Sequence, residues 1–396
     1  MAVGHEVVST VGREELLDRA RALVPALRKR QFETERMGRI PDETVEEIVA
    51  AGLTRAGVPV RFGGYDVEFE TVHDIAMELG RACGATAWCY ALWGMHSWWA
   101  GYYPIEAQEE LFADGPDVLT SSANFSPDSR AEPTSGGYRV SGHWKFSSGI
   151  DHAKWLFAII ATQDGPMGAM VPRSDFTVDQ DSWDVSGLQG SGSKDVVIDD
   201  AFVPAHRTLV GASNMFARQT EVFDQHPQRR YAVPRGALTI WELVAPAIGL
   251  AQGAIDEIVG RLTGTTGPLR SSESPLVQSK IAEAAAEVDA AIAILHTDMA
   301  EAQDKGARGE DISVLDLTRY ARDKAYAMKL AVKAVNRIFD ISGGRSLFRT
   351  NPLQRIHRDV QACMHRDGLM FDFSGLPYAQ MRLGLEPTSV VRRGVR

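Results

Sequence analysis

The order of patterns along the 396 residues predicts an α+β protein in three parts: an N-terminal helical domain (1–117), a central antiparallel β-barrel or sandwich (118–212) and a C-terminal four-helix bundle (213–396). Three observations carry that expectation. Apolar residues recur at helical spacing before residue 115 and again after 238. Between Leu119 and Val210, Gly, Ser and Pro punctuate short β-branched runs. The later helical stretches are long and partly alanine-rich, which suits close helix–helix approach.

In the first part, Leu16, Leu17, Ala20, Leu23 and Leu27 give Glu14–Arg30 an apolar stripe. Pro41 and Asp42 open a helix that Gly52 ends. Arg61–Tyr65 reads as a turn, and Thr71–Arg81 restarts a helix. In the middle part, Gly137–Val140, Trp155–Ala161 and Asp195–Ile198 have the length and composition of strands. In the last part, Ile240–Leu262, Val277–Gln303 and Ile312–Ser342 are each long enough for several helical turns, and Ile281–Leu295 is the alanine-rich stretch.

Composition narrows the partners. With 42 basic against 52 acidic residues the formal net charge is −10, and no basic run offsets it, so nucleic acid is an unsuitable ligand. The three cysteines, Cys83, Cys89 and Cys363, form no C-x-x-C pair, so neither zinc ligands nor a disulfide framework is indicated, and Cys83 and Cys89, in an apolar stretch, read as buried thiols. His73, His206 and His226 show no metal-ligand spacing with carboxylates, so no metal is expected. The most apolar stretch, Ala85–Tyr103, is interrupted by His96 and Ser97 and falls short of the roughly 20 apolar residues a spanning helix needs. No apolar leader opens the chain. A cytoplasmic protein without membrane association is the expectation. A Gly-x-Ser-x-Gly elbow, a P-loop and a strand–G-x-G-x-x-G–helix unit are all absent from the sequence.

Four segments in order resemble the acyl-CoA dehydrogenase superfamily over nearly the whole chain. They are Gly137–Ala153, Gly187–Ser193 with Asp195-Val-Val and Val203-Pro204, Gln278 with Ile281-Ala-Glu283, and Asn351-Pro-Leu-Gln-Arg-Ile-His-Arg-Asp359. The resemblance implies a flavin held by the central part. Trp144 offers an indole to pack on the ring, and Ser147 and Ser148 offer hydroxyl donors to it. Ser121 and the Gly190–Ser193 turn, with Gly190, Ser191 and Ser193, complete the expected cofactor contacts.

Two chemistries compete inside that superfamily. An acyl-CoA dehydrogenase needs a carboxylate base late in the chain, where this sequence has Asp367-Gly368. Aspartate is one methylene shorter than the family's glutamate, which sets it back by about 1 Å. The chain is more similar to the other branch, the oxygenase components of two-component flavin monooxygenases such as the hydroxyphenylacetate and secosteroid-phenol hydroxylases. That similarity rests on Cys83–Trp88, Gly94-Met-His-Ser-Trp98, Ser121-Ser122 and Trp144–Ala153. It implies reduced FMN or FAD and O2 as co-substrates, a C4a-hydroperoxyflavin, a separate NAD(P)H-dependent flavin reductase, a homotetramer, and hydroxylation of an aromatic or other flat apolar small molecule. By motif, His96 takes or shares the substrate's phenolic proton, Ser122 holds the substrate oxygen and Ser147 stands at the flavin N5. Trp93, Trp98, Trp99, Tyr102 and Tyr103 around His96 are expected to keep the pocket dry.

One departure from the pattern stands out. The phenol hydroxylases carry a second His before a late Gly-Leu-Pro, but here Tyr378–Pro387 has none, so that role is absent or falls to Gln380 or Arg382. The departure counts against ordinary phenol ortho-hydroxylation and leaves room for another aromatic, an indole, an amine or a sulfur heterocycle. A non-catalytic scaffold is the remaining class, and the intact flavin segment argues against it.

Overall fold

A computed structural model describes residues 11–163, 165–210, 219–264, 271–366 and 368–388. The N-terminal helices are α1 (Arg13–Met37), α2 (Asp42–Ala50), α3 (Glu70–Gly80), α4 (Gly84–Ala100) and α5 (Ile105–Leu111). The strands follow: β1 (Thr120–Ser126), β2 (Arg130–Thr134), β3 (Gly137–Ser147), β4 (Trp155–Thr162), β5 (Gly165–Pro172), β6 (Thr177–Asp179), β7 (Lys194–Pro204) and β8 (Thr208–Val210). Helices return as α6 (Thr220–Gln225), α7 (Arg235–Leu238), α8 (Trp241–Thr263), α9 (Pro275–Ala307), α10 (Val314–Asp340), α11 (Pro352–Met364), α12 (Phe371–Ser374) and α13 (Leu376–Arg382).

The strands form two four-stranded sheets, ordered β1-β4-β5-β8 and β2-β3-β7-β6. Their inner faces bury Val140, Trp144, Ile160, Val171, Val196 and Ile198 in one core, so the middle part is a sandwich. It is not wholly antiparallel. β1 runs parallel to β4, with Thr120 opposite Trp155, because the chain crosses to the other sheet through β2 and β3 before returning.

Trp144 is fully buried in that core and its indole N–H donates to the Ile159 carbonyl at 2.9 Å, so it cannot stack on a ligand outside the sandwich. Strand alternation stops just beyond it. Trp144 pairs with Val196 and Ser147 with Lys194, which leaves one extra residue on β3, a bulge. Phe146 takes φ +66° there and is half-exposed. A bulky side chain at positive φ is strained, and here the strain turns the ring out of the sheet.

α4 is apolar all round and almost wholly buried, the mark of a central helix. It packs against α3 and α8, and α8 in turn packs with α9, α10 and α11 as the C-terminal bundle. α3 and α8 cross closely: a Cβ on Gly249 would lie 2.4 Å from the Met77 carbonyl oxygen, so that crossing requires glycine. Two caps fix helix starts in the bundle. Ser313 and Asp316 form a reciprocal capping box on α10, and the Asn351 side chain accepts from Leu353 N–H ahead of Pro352 on α11. Among the described residues, one stretch, Arg235–Thr263, is long and apolar enough to cross a membrane, but 83% of its apolar window is buried inside the fold.

Candidate active site

One strip of α4 and the turn after it, Trp88, Leu92, Met95, His96, Trp99 and Tyr103, lines a cavity of about 340 Å³. The spacings of three and four residues keep these side chains within about a third of the helix circumference. The facing walls come from Ser122 and Asn124 on β1, Phe157 and Ile159 on β4, and the segment from Arg235 to Leu243.

His96 is the polar centre of this wall. Its Nδ1 lies 3.0 Å from the Thr120 carbonyl, and a carbonyl only accepts, so Nδ1 carries the proton and Nε2 presents a lone pair. Nε2 is buried and has no hydrogen-bond partner among the described residues. Burial pushes the imidazole down to about 4, against a smaller upward pull from the Thr120 hydrogen bond, so the ring is neutral near pH 7.

A second cavity of about 440 Å³ adjoins the first, and the two share Trp88, Asn124, Phe146, Ser148 and Arg366. Its polar side is a chain of hydroxyls. Trp88 Nε1–H donates to Ser148 Oγ at 3.1 Å, and Ser193 Oγ lies 2.7 Å from both Ser148 Oγ and Ser191 Oγ. Its apolar side has Leu188, Trp183 and Phe146, the last two meeting edge to face at 6.0 Å. Three hydroxyls beside flat aromatic walls suit a planar heteroaromatic ring with a polar edge, so the residues present fit a flavin.

Of the residues picked from the sequence, the structure brings His96, Ser122 and Ser148 to the first cavity, and Ser148, Ser191 and Ser193 to the second. Others stand behind the walls. Ser121 Oγ donates to the Ser148 carbonyl at 2.8 Å and Ser147 Oγ to the Ser122 carbonyl at 3.1 Å; both side chains are buried, and both brace β1 against the end of β3. Gly190 packs on α1, where a Cβ would lie 2.5 Å from Thr34 Cγ2.

Of the aromatics expected in the pocket, Trp99 and Tyr103 line it, while Trp93, Trp98 and Tyr102 face elsewhere. Trp93 lies against Gly149 and edge-on to His152. Trp98 packs on Phe69 and Tyr231, and Tyr102 on Trp98 and the Arg235 guanidinium. Trp93 stands three residues before His96 and Trp98 two after it, which rotates both rings away from the cavity strip, and Tyr102 follows the end of α4 and packs on Trp98; Trp88, Trp99 and Tyr103 line the cavity. Gln380 accepts from the Thr388 backbone N–H and hydroxyl on the C-terminal helix and lines neither cavity; Arg382 is exposed. Asp367, the alternative base, lies outside the described residues.

Sequence reasoning missed Phe146, Asn124, Glu242 and Arg366. Glu242 opens α8 with a buried carboxyl that burial pushes up to about 7, while the Lys324 and Arg366 charges pull the other way. The neighbours Arg358 and Asp359 do not pair with each other: Asp359 accepts from Leu188 N–H at 2.7 Å and pairs with Arg355, and Arg358 pairs with Glu35. Among the described residues no three His, Cys, Asp or Glu side chains converge as a metal site.

Comparison with known proteins agrees with this geometry. Residues 12–108 match the acyl-CoA dehydrogenase N-terminal domain and residues 242–367 the acyl-CoA dehydrogenase C-terminal domain. The chain is 32% identical to the flavin-dependent monooxygenase oxygenase subunit HsaA of Rhodococcus jostii (strain RHA1), over 87% of this chain and 92% of that one. It is 33% identical to the oxygenase component of the FADH2-dependent resorcinol hydroxylase of Rhizobium sp. (strain MTP-10005), over 94% and 95%. The structure of XiaF from Streptomyces sp., in complex with FADH2 and glycerol, superposes with a TM-score of 0.86 at 27% identity, covering 95% of this chain and 97% of that one. The chain therefore belongs to the oxygenase subunits of flavin-dependent monooxygenases, built on the acyl-CoA dehydrogenase fold.

Proposed function

We propose that this monooxygenase hydroxylates an aromatic or similarly flat apolar small molecule in the α4 cavity, with reduced flavin in the adjoining hydroxyl-lined cavity. The observation that carries the reading is His96: a neutral imidazole, its tautomer set by Thr120, with an unpartnered buried Nε2 at the wall of an aromatic chamber.

When bound, reduced flavin supplies the two electrons that reduce O2, one oxygen atom entering the substrate and the other leaving as water. Each remaining task falls to this chain. Ser148, Ser191 and Ser193 would hold the polar edge of the ring, with the Phe146–Trp183 pair as an apolar wall beside it. His96 Nε2 accepts the substrate's acidic proton, which raises electron density on the ring that is to be oxygenated. Ser122 holds the substrate oxygen. Leu92, Met95, Trp99 and Phe157 exclude water, which protects the activated oxygen from release as H2O2. The chamber volume of about 340 Å³ is within the range of small-molecule sites.

A separate NAD(P)H-dependent flavin reductase supplies the reduced flavin in this reading, in keeping with the "oxygenase component" form of the relatives. We also place the chain in the cytoplasm, as a homotetramer. Exposed apolar side chains late in the chain, among them Phe348, Phe373 and Leu383, support the assembly, and sedimentation measures it.

The test of the function is aerobic turnover with a panel of phenols and indoles, using FMN or FAD reduced by an unrelated flavin reductase. Hydroxylated product with little H2O2 is the expected result. Bleaching of a tightly bound oxidised flavin by an acyl-CoA, with no oxygenated product, would overturn it.

A further inference from the structure

Four buried polar atoms on the wall of the α4 cavity have no hydrogen-bond partner among the described residues: His96 Nε2, Trp99 Nε1, Thr239 Oγ1 and Glu242 Oε2. Two belong to α4, and two to the segment joining α7 to α8. An unmade hydrogen bond at a buried polar atom destabilises a fold, so several on one cavity wall mark a surface shaped for a ligand's polar groups.

The α7–α8 segment is built to hold its two groups there. Between Thr239 and Glu242 stands Ile240 at φ +81°, a β-branched residue in a conformation such residues rarely adopt. That strain is held from outside the segment: Lys324 Nζ on α10 donates to the Gly236 and Ala237 carbonyls at 3.1 and 2.9 Å. Within it, Thr239 N–H bonds to the Arg235 carbonyl at 3.0 Å and Leu243 N–H to the Ile240 carbonyl at 3.0 Å. The left-handed residue ends α7 and starts α8 within a few residues, so Thr239, Ile240, Glu242 and Leu243 all reach the one cavity. Strain confined by its surroundings at a cavity wall is typical of ligand sites.

We propose that Glu242, with Thr239 beside it, is the substrate-recognition residue of this chamber, accepting a hydrogen bond from a second hydroxyl or N–H group on the aromatic substrate. The proposal rests on reading the α4 cavity as the substrate chamber. The substrate class it names is an arene with two polar groups: one reaching His96 and Ser122 from the α4 and β1 side, the other reaching Glu242 from the α8 side. A carboxylate accepts from such a donor and rejects its O-methyl or N,N-dialkyl counterpart, because the counterpart leaves the buried acceptor unmade.

Matched pairs test it: 1,3-dihydroxybenzene against 3-methoxyphenol, 3-aminophenol against 3-(dimethylamino)phenol, and 1,5-dihydroxynaphthalene against its monomethyl ether. Binding to the flavin-free protein is read by quenching of the chamber tryptophans and by calorimetry. In the wild type, at least one two-donor probe binds roughly tenfold or more tighter than its alkylated partner. In Glu242→Met that ratio falls to within about twofold while the alkylated partner binds nearly as before. Glu242→Leu, which likewise has no acceptor, is read for the same fall should the methionine variant not fold. Parity within every pair in the wild type, a ratio that survives both substitutions, or no binding by any probe overturns the proposal. Turnover separates it from the function above. A binding ratio without any oxygenated product sinks hydroxylation and leaves Glu242's role standing. Hydroxylation of both members of each pair with equal kcat/KM sinks Glu242's role and leaves hydroxylation standing.

Discussion

The two adjoining cavities differ in how their polar groups are satisfied. In the hydroxyl-lined cavity Trp88, Ser148, Ser193 and Ser191 form a closed chain, each with a partner inside the protein. In the α4 chamber His96, Trp99, Thr239 and Glu242 each present a buried atom with none. A self-satisfied wall is preorganised and binds by exchanging partners; an unsatisfied wall is completed by its ligand and so discriminates sharply between ligands. The division suits a site that holds a constant cofactor on one side and selects a substrate on the other.

Breaking the unsatisfied side at His96 has the largest expected effect. His96→Ala removes the ring nitrogen that presents a lone pair to the chamber, and product formation falls roughly a hundredfold or more. Flavin affinity stays within about twofold, because His96 does not line the hydroxyl cavity. Turnover by chromatography and flavin binding by fluorescence titration check the two halves. Equal loss of both would make His96 a structural residue.

Glu242 gives the next effect, read in stability. Its folded-state value is raised from 4.5 to about 7 by burial, partly offset by Lys324 and Arg366. The folded chain therefore binds more protons than the unfolded chain between those values, so this group's contribution falls as pH rises from 4.5 through 7 and is level above. Glu242→Gln removes the penalty, and its stability relative to wild type rises across that window by an amount of the order of 3 kcal/mol. Urea denaturation at pH 5 and pH 8 measures it; a difference independent of pH would mean that the carboxyl is already ionised at pH 5 or is not buried.

How much of this was legible in the sequence follows from which periodicities were used. The three-part order and the long helices are legible because helical period is a local signal, and a short motif is enough to single out His96, which the fold places at the chamber wall. Nearness in sequence to His96 is not nearness in space, so it does not divide the aromatics around it. The helical strip 88–92–95–96–99–103, already present in the sequence, adds Trp88 to Trp99 and Tyr103 and leaves out Trp93, Trp98 and Tyr102. Trp144 and Ser147 turn away from both cavities. Strict alternation cannot be projected past a bulge that only the β3–β7 register reveals, so the outward ring is Phe146. The approach of α8 brings in Glu242, a long-range contact with α4, and no local pattern around Trp241 announces it.

On the satisfied side, Ser148→Ala cuts the hydroxyl chain at its middle. Trp88 Nε1–H loses its acceptor and Ser193 loses one of its two partners. Flavin affinity falls roughly tenfold, the worth of about one good hydrogen bond, and chamber ligands bind nearly as before. A loss of chamber binding instead would mean that the two cavities are not separable.

The smallest effect sharpens the comparison most, because it separates neighbouring serines. Ser147 Oγ donates to the Ser122 carbonyl behind the wall and lines neither cavity, whereas Ser148 lines both. Ser147→Ala removes one partly buried hydrogen bond and lowers stability by about 1 kcal/mol, with flavin affinity unchanged. Side-by-side titration of the two alanine variants decides which hydroxyl meets the cofactor. Should Ser147→Ala weaken flavin binding as much as Ser148→Ala does, the bulge at Phe146 must relax when flavin binds and turn Ser147 into the cavity. The self-satisfied wall would then be a property of the free protein alone.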